Sequence, residues 1–407
     1  MAYRNKLALV YLLGFALDLV NMFAASIAYP QIGQTLHASV NQLAWIGNAY
    51  MLGLTLIILP SVWLAAVFGE KRLIVASLVL FSVASWCVAQ ASSIETLIGW
   101  RLLQGLGGGL LIPVGQAMVY RHFPVRERAR LTSIILSVAL LVPALSPALG
   151  GWVVESWSWR GIFYANLPFA VLALMLAGLW LKPEPRLTSR PALSFSSLAS
   201  GAQHMGGLLK SPLLRVAMLM YVCVAGIFIG TQLVSILYLH QLGFSPTQTG
   251  ALMLPWALAS AVGITLSRVQ FNRLGPKPLL LLGMSAQALG IGLLIQLDSN
   301  NTWLAMLLYA LMGFGGSLCS STAQNTAFID VTAERMGHAS ALWNLNRQLS
   351  FLLGPALMMA VFATLSTITS TPNAFALCFA IGCALTLAPL ILVLRLNTPH
   401  VLALLAP

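Results

Sequence analysis

LIGWRLLQGLGGG, residues 97–109, sets an arginine inside an otherwise apolar run and follows it with a glycine seam. An arginine at the centre of a bilayer costs about 2.5–3.5 kcal/mol even on insertion scales, so Arg101 must face protein or water. Three further motifs follow in order. RHFPVRERAR (121–130) is a basic loop, PALSPALGG (143–151) a helix broken by Pro and Gly, and SWRGIFYANLP (158–168) a tryptophan-rich turn.

Around this stretch the 407-residue chain is 59% hydrophobic and 7% charged, too few charges to cover a soluble surface. Repeated apolar runs of about 20 residues identify an all-α integral membrane protein. The net charge of +12 does not point to nucleic acid, because the basic residues flank apolar runs instead of forming a stripe with aromatics. The five cysteines lie inside apolar runs without metal-ligand spacing, and the histidines sit in loops or at span ends, so no metal is expected. H-E-x-x-H, G-x-S-x-G and Walker motifs are absent, which argues against an enzyme, a cofactor or direct use of ATP. The N-terminal MAYRNK resembles the start of a signal peptide, but Asp18 and the length of the run to Pro30 favour a retained span.

Twelve spans are predicted, over about 7–29, 43–67, 73–92, 96–119, 131–153, 162–181, 213–239, 248–268, 278–297, 303–326, 337–363 and 373–395. Of the 21 Lys and Arg residues, 18 fall on one set of alternate connections and only Arg160 on the other, with Arg101 and Arg347 inside spans. That bias puts both termini in the cytoplasm, and the inner (cytoplasmic) membrane is the expected location. A repeat at offsets of 206 to 208 pairs Gly69 and Lys71 with Gly275 and Lys277, and Gly105, Gly107 and Gly108 with Gly313, Gly315 and Gly316. It also pairs Glu127-Arg128 with Glu334-Arg335 and Pro147 with Pro355. The chain therefore divides into two six-span halves, 1–181 and 213–407, joined by a Pro/Ser/Gly-rich cytoplasmic linker, 182–212.

The four motifs in this order resemble the drug:proton antiporters of the major facilitator superfamily, closest to the branch whose larger members have fourteen spans. The resemblance covers nearly the whole chain. It implies two pseudo-symmetric six-helix bundles, here with twelve spans because 182–212 has no room for two more. It also implies a monomeric, proton-coupled secondary transporter in the lipid bilayer, moving a small-molecule substrate by alternating access. Arg101, in R-x-x-Q-G, matches the family's arginine of the fourth span, which tunes an acidic site during proton transfer. The family's aspartate stands nine residues before the proline closing the first span, a position held here by Asn21. The carboxylate in this chain, Asp18, lies one turn earlier on the same face. PALSPALGG matches the fifth-span signature, with Ser146 where glycine is usual. Pro143, Pro147, Gly150 and Gly151 are the gating candidates, letting the helix bend and a neighbour approach closely. The loop VWLAAVFGEKR (62–72) has Ala66 and Val67 where the superfamily places an acidic and a basic residue, and Asn272 replaces the aspartate in the second copy. A weakened cytoplasmic lock is the expectation.

Asp18 is the only carboxylate well inside an apolar span, about 17 Å from the cytoplasmic end at 1.5 Å per residue. Burial and a neighbouring arginine can tune such a group to load and release a proton. Asp18 and Arg101 are thus the proton-coupling candidates, against the alternative of a structural pair. Arg347, in the eleventh span, shares a face with Trp343, Asn344 and Phe351, a mixture able to hold an anion through the guanidinium. With Asn21 and Gln104, these residues are the substrate-binding candidates. Asn48, Gln116, Gln232, Gln287, Gln324, Asn325 and Asn344 itself read more simply as helix–helix hydrogen bonds, and Tyr221, Trp256 and Trp303 as interfacial anchors. Two intramembrane arginines against one aspartate lean toward an anionic or carboxylate-bearing metabolite such as a siderophore. Multidrug efflux of lipophilic drugs, a symporting importer and a non-transporting sensor are the alternatives.

Overall fold

The computed structural model describes residues 2–183, 206–244, 246–298 and 301–405. Among them every regular element is helical. The first six long helices are α1 (Tyr3–Ala24), α2 (Val40–Phe68), α3 (Glu70–Ala89), α4 (Ile94–His122), α5 (Val125–Ser156) and α6 (Trp159–Trp180). The next six are α7 (Pro212–Gln241), α8 (Met253–Leu274), α9 (Pro276–Gly292), α10 (Thr302–Ala327), α11 (Met336–Ile368) and α12 (Thr371–Leu387). Ten of the twelve lie in stretches long and apolar enough to cross a membrane, and the other two, α5 and α8, run 32 and 22 residues. The helices fall on the twelve predicted spans, so the all-α membrane reading holds. Most of the predicted linker, 184–205, lies outside the described residues.

Local chemistry sets the helix ends. Ser39 and Gln42 form a capping box at the start of α2, and Ser93 accepts the Thr96 N–H at the start of α4. The α2–α3 and α8–α9 turns each close on one glycine with positive φ, Gly69 at 88° and Gly275 at 71°. Two residues after each of these glycines the repeat shows again. Lys71 Nζ donates to the Gly178 carbonyl at the end of α6 (2.8 Å), and Lys277 Nζ to the Leu394 carbonyl beyond α12 (2.6 Å).

Two predicted boundaries need correction. The first span does not close at Pro30. Instead α1 passes through a 3₁₀ turn, Ala25–Ala28, into a further helix, Tyr29–Leu36, which ends at His37 in the left-handed region. Pro30 sits in the first turn of that helix, where its missing N–H is not needed. PALSPALGG does not break its helix either, because α5 is continuous from Val125 to Ser156. Backbone groups have no partner in lipid except the helix itself, which keeps a proline-containing span helical. In α7 the ladder does change, to a π turn over Tyr221–Gly226.

The chain forms two compact units. Unit 1 comprises 1–124, 141–208 and 332–345, and unit 2 comprises 125–140, 209–331 and 346–407. Within unit 1, α4 is the central helix, and every residue from Gly107 to Tyr120 is buried. The glycine seam is what brings its neighbours so close. A Cβ on Gly105 would stand 2.1 Å from the Tyr50 carbonyl oxygen of α2, and one on Gly107 would stand 2.9 Å from the Phe81 nitrogen of α3. Unit 2 repeats the pattern. A Cβ on Gly313 would stand 2.3 Å from the Trp256 carbonyl oxygen of α8, and one on Gly315 would stand 2.4 Å from the Gly283 carbonyl oxygen of α9. Small residues at these positions replace a solvent-driven hydrophobic force with close backbone packing.

At the end of unit 1 where α1 begins, the loop after α2 has a different ion pair from the one the superfamily pattern implies. Ala66 and Val67 carry no charge, but Glu70, one position past Gly69, holds Arg121 at 3.0 and 3.1 Å. Arg121 Nε in turn donates to the Ala333 carbonyl at 3.1 Å. In unit 2 the amide of Asn272, in place of the aspartate, donates to the Arg126 carbonyl at 2.8 Å, and Arg128 donates to the Phe328 carbonyl at 2.6 Å.

Gly105→Ala is expected to destabilise the protein by about 1–3 kcal/mol through overpacking against the α2 backbone. Gly99→Ala on the same helix meets nothing within 4 Å and should be neutral. Thermal unfolding of the two variants in detergent checks this, and equal melting temperatures would contradict the seam.

Candidate functional site

The polar residues of the first four helices meet in one sealed cluster in unit 1. Arg101 is 1% exposed, Asp18 2%, and Asn21, Gln104 and Ser85 are fully buried. Helical spacing puts Asp18 and Asn21 on one face of α1, and Arg101 and Gln104 on one face of α4. Gly108, on the next turn of α4, leaves room for what lies between, since a Cβ there would stand 3.1 Å from the Tyr50 hydroxyl and 3.3 Å from Asp18 Oδ1.

Neutral groups surround the arginine. Its Nε donates to the Ile46 carbonyl (3.2 Å) and Nη1 to Gln104 Oε1 (2.6 Å) and Asn21 Oδ1 (3.4 Å), while Nη2 donates to the Asn21 carbonyl (3.4 Å). Gln104 Nε2 links the set to Asn21 Oδ1 at 2.9 Å and to Ser85 of α3 at 2.6 Å. Asn21 closes the network by donating to the Leu17 carbonyl at 3.2 Å. The guanidinium also stacks on Tyr50, 4.3 Å from the ring centroid, and lies 5.7 Å from the Phe163 ring of α6. A desolvated cation–π contact contributes about 2 kcal/mol, which helps offset the burial of the charge.

Asp18 is tied to this network through Tyr50. The Tyr50 hydroxyl donates to Asp18 Oδ1 at 2.5 Å while the same ring carries the arginine on its face. Tyr50 therefore stands between acid and base, touching both. The position that matches the family's aspartate, Asn21, is fully engaged by Arg101 and Gln104. An amide there accepts the arginine's hydrogen bond without neutralising its charge.

The remaining candidates fall into two places. In unit 1, Asn344 Nδ2 donates to Gln116 Oε1 (2.6 Å) and to the Ser340 carbonyl (2.9 Å), and Ser340 Oγ lies 2.8 Å from the Pro113 carbonyl. Asn344 Oδ1 is buried with no hydrogen-bond partner among the described residues. Trp343 is 1% exposed and fills core volume. Arg347 belongs to unit 2, half-buried, with the Tyr221 ring packed on Phe351 one turn further along (6.1 Å between centroids). Tyr221 is buried and so is not an interfacial anchor, whereas Trp303, 82% exposed, fits that role. The structure thus brings Asp18, Asn21, Arg101 and Gln104 together, and keeps Trp343, Asn344 and Arg347 within one turn of the continuous α11. Of the gating candidates, Pro143 is half-buried, Gly150 is buried, and a Cβ on Gly151 would meet nothing within 4 Å among the described residues. Pro147 lies within α5, and its side chain is outside what is described.

Sequence reasoning missed Tyr50 and Ser85. The signal for Tyr50 was its depth, because a phenol in the middle of a span needs a hydrogen-bond partner, and the chain offers one intramembrane carboxylate.

The site's geometry has its context in known proteins. The profile of the Major Facilitator Superfamily matches residues 11–355. The MFS-type transporter YhcA of Bacillus subtilis is 24% identical over 89% of this chain and 77% of its own length. The multidrug resistance protein Stp of Mycobacterium tuberculosis is 25% identical over 91% of this chain and 78% of its own. Among solved structures, the human organic anion transporter MFSD10 superposes with a TM-score of 0.78 at 17% identity, covering 97% of this chain and all of that one.

Two substitutions separate the roles inside the cluster. Arg101→Lys, which offers donors from a single point, cannot reach Ile46, Asn21 and Gln104 together, and should lower transport by on the order of tenfold or more. Tyr50→Phe keeps the ring beneath the arginine and removes only the bond to Asp18. It should move the pH midpoint of transport in reconstituted vesicles, and an unmoved midpoint would disconnect Tyr50 from the acid.

Proposed function

The chain belongs to the major facilitator superfamily, and from that membership we propose that it is a proton-coupled exporter of small amphipathic organic solutes. Members of this family are multi-pass membrane transporters and not enzymes. In the proposed cycle the halves 1–181 and 213–407 rock about a midplane site, with both termini in the cytoplasm of a cell whose inner membrane holds the protein. Protonation of Asp18 and occupancy by solute alternate.

One observation carries the reading. The only mid-span carboxylate is linked to a buried arginine through Tyr50, whose hydroxyl donates to Asp18 and whose ring carries the guanidinium. When Asp18 is ionised, it accepts from Tyr50 and its charge balances that of Arg101 at short range. When it is protonated, it becomes a donor as well, and the Tyr50 hydroxyl is free to turn to another acceptor. The change of one proton therefore reorganises the contact between α1 and α2 directly. That is what coupling a proton to helix movement requires.

The solute's chemistry has two readings. Relatives named for multidrug resistance and drug efflux, such as Stp, favour lipophilic drugs. Arg347, beside the aromatic pair Tyr221 and Phe351, favours an anionic or carboxylate-bearing solute, a siderophore among them. Arg101 contributes little to solute choice, because its donors are occupied inside the cluster.

Substrate-induced proton release from the purified protein tests the proposal, with lipophilic cations and carboxylate chelators screened side by side. Release that disappears in Asp18→Asn is the expected result, and the solute class that elicits it decides between the two readings. Binding without release, unchanged in Asp18→Asn, would overturn proton coupling through this residue.

A further inference from the structure

A second polar feature of unit 1 lies apart from the Asp18 cluster and has no role in it. At the end where α1 and α3 begin and α6 ends there is an open cavity of about 530 Å³. Tyr3, Lys6, Lys71, Trp180 and Lys182 line it, with Leu179 on its rim, and among the described residues its lining contains no acidic one. The carboxylate next to Lys71 in sequence, Glu70, is held by Arg121 at 3.0 and 3.1 Å and so does not neutralise Lys71.

The lysines are positioned. Lys6 Nζ sits 5.5 Å from the Trp180 ring centroid and Lys182 Nζ 5.0 Å from that of Tyr3. The Lys182 backbone N–H donates to the Tyr3 hydroxyl at 3.4 Å. Lys71 uses one of its three protons on the Gly178 carbonyl at 2.8 Å and keeps two for a ligand. Three ammonium groups around one opening, held by aromatic rings and a helix end, suit an anion with several oxygen acceptors, and a phosphate group has that chemistry. The rim decides its source. Leu179 is 79% exposed and Trp180 half-buried on the outer surface of α6, where an apolar face meets the polar end of the span. A Trp–Lys pair at that level is typical of the membrane–water boundary, and basic pockets at the cytoplasmic ends of spans bind anionic headgroups.

We infer that this cavity is a binding site for the phosphate headgroup of an anionic phospholipid in the cytoplasmic leaflet, with Lys6, Lys71 and Lys182 as its cationic contacts. The acyl chains run from the rim over Leu179 and the apolar surface of α6. The inference rests on the cytoplasmic placement of the N-terminus but not on proton coupling, so protease access to an N-terminal tag in inverted vesicles reads that premise separately.

Native mass spectrometry of the full-length, detergent-purified protein tests it, with phosphatidylglycerol and phosphatidylcholine of identical chains as probes. Phosphatidylglycerol should bind more tightly than phosphatidylcholine. Each lysine replaced by glutamine should weaken it by about fivefold, until Lys6→Gln/Lys71→Gln/Lys182→Gln binds both lipids alike. Should loss of the Lys71 cap on α6 prevent folding of the triple variant, Lys6→Gln/Lys182→Gln retains that cap and still predicts a roughly 25-fold loss. An unchanged preference for phosphatidylglycerol in folded variants would overturn the site. So would displacement of the lipid by inorganic phosphate or glycerol 3-phosphate at equal concentration, which would make the ligand a soluble phosphate.

Discussion

A guanidinium buried in the middle of a membrane bundle is the constraint on which the rest of the structure depends. Arg101 has to be met by oxygen atoms and ring faces on every side, and the chain supplies them from separate helices. Ile46 and Tyr50 come from α2, Asn21 from the end of α1, Gln104 from α4 itself and Phe163 from α6. Ser85 brings in α3 through Gln104. The glycine seam follows from the same need, because only a bare α4 surface lets α2 come close enough for the Ile46 carbonyl and the Tyr50 ring to reach the arginine. The charge is held by dipoles and a π face, and it remains available to any ionisable neighbour.

The second copy of the repeat makes the point by contrast. Its backbone seam is the same, with Gly313 against Trp256 as Gly105 is against Tyr50. The side chains are not. At the repeat offset, Tyr309 stands where Arg101 does in the first copy, Met312 where Gln104 does, and Trp256 where Tyr50 does. These positions belong to or pack on an apolar core with Phe228, Phe375 and Phe379, and the Tyr309 hydroxyl is satisfied locally by Ser235 at 2.8 Å. At these matched positions one copy therefore carries charge chemistry and the other plain packing.

Much of this was legible in the sequence because lipid removes most alternatives. Apolar runs can only be helices, the repeat showed in fixed offsets of glycines and lysines, and Asp18 and Arg101 stood out as charges where charges are expensive. What was not legible depended on contacts between helices. Nothing in the order of residues says that Tyr50 would interpose itself between acid and base. Nor does it say that Glu70 would pair with Arg121. The prolines of α5 were read as breaks because proline disrupts helices in water. In a span the surrounding helices and the absence of competing solvent keep the segment helical. Of the glutamines and asparagines read as helix–helix links, Gln116, Gln287 and Asn344 make hydrogen bonds between elements, whereas both polar side-chain atoms of Asn325 are buried without a partner among the described residues.

The central claim is that the carboxylate of Asp18, joined to Arg101 by Tyr50, is where the proton meets the transport cycle. Solute exchange and proton-driven accumulation in the same vesicles, compared for wild type and Asp18→Asn, test it most directly. The account predicts that the variant still exchanges labelled for unlabelled solute across the membrane but no longer accumulates it against a gradient when a pH difference is imposed. Accumulation at the wild-type level in Asp18→Asn would contradict it.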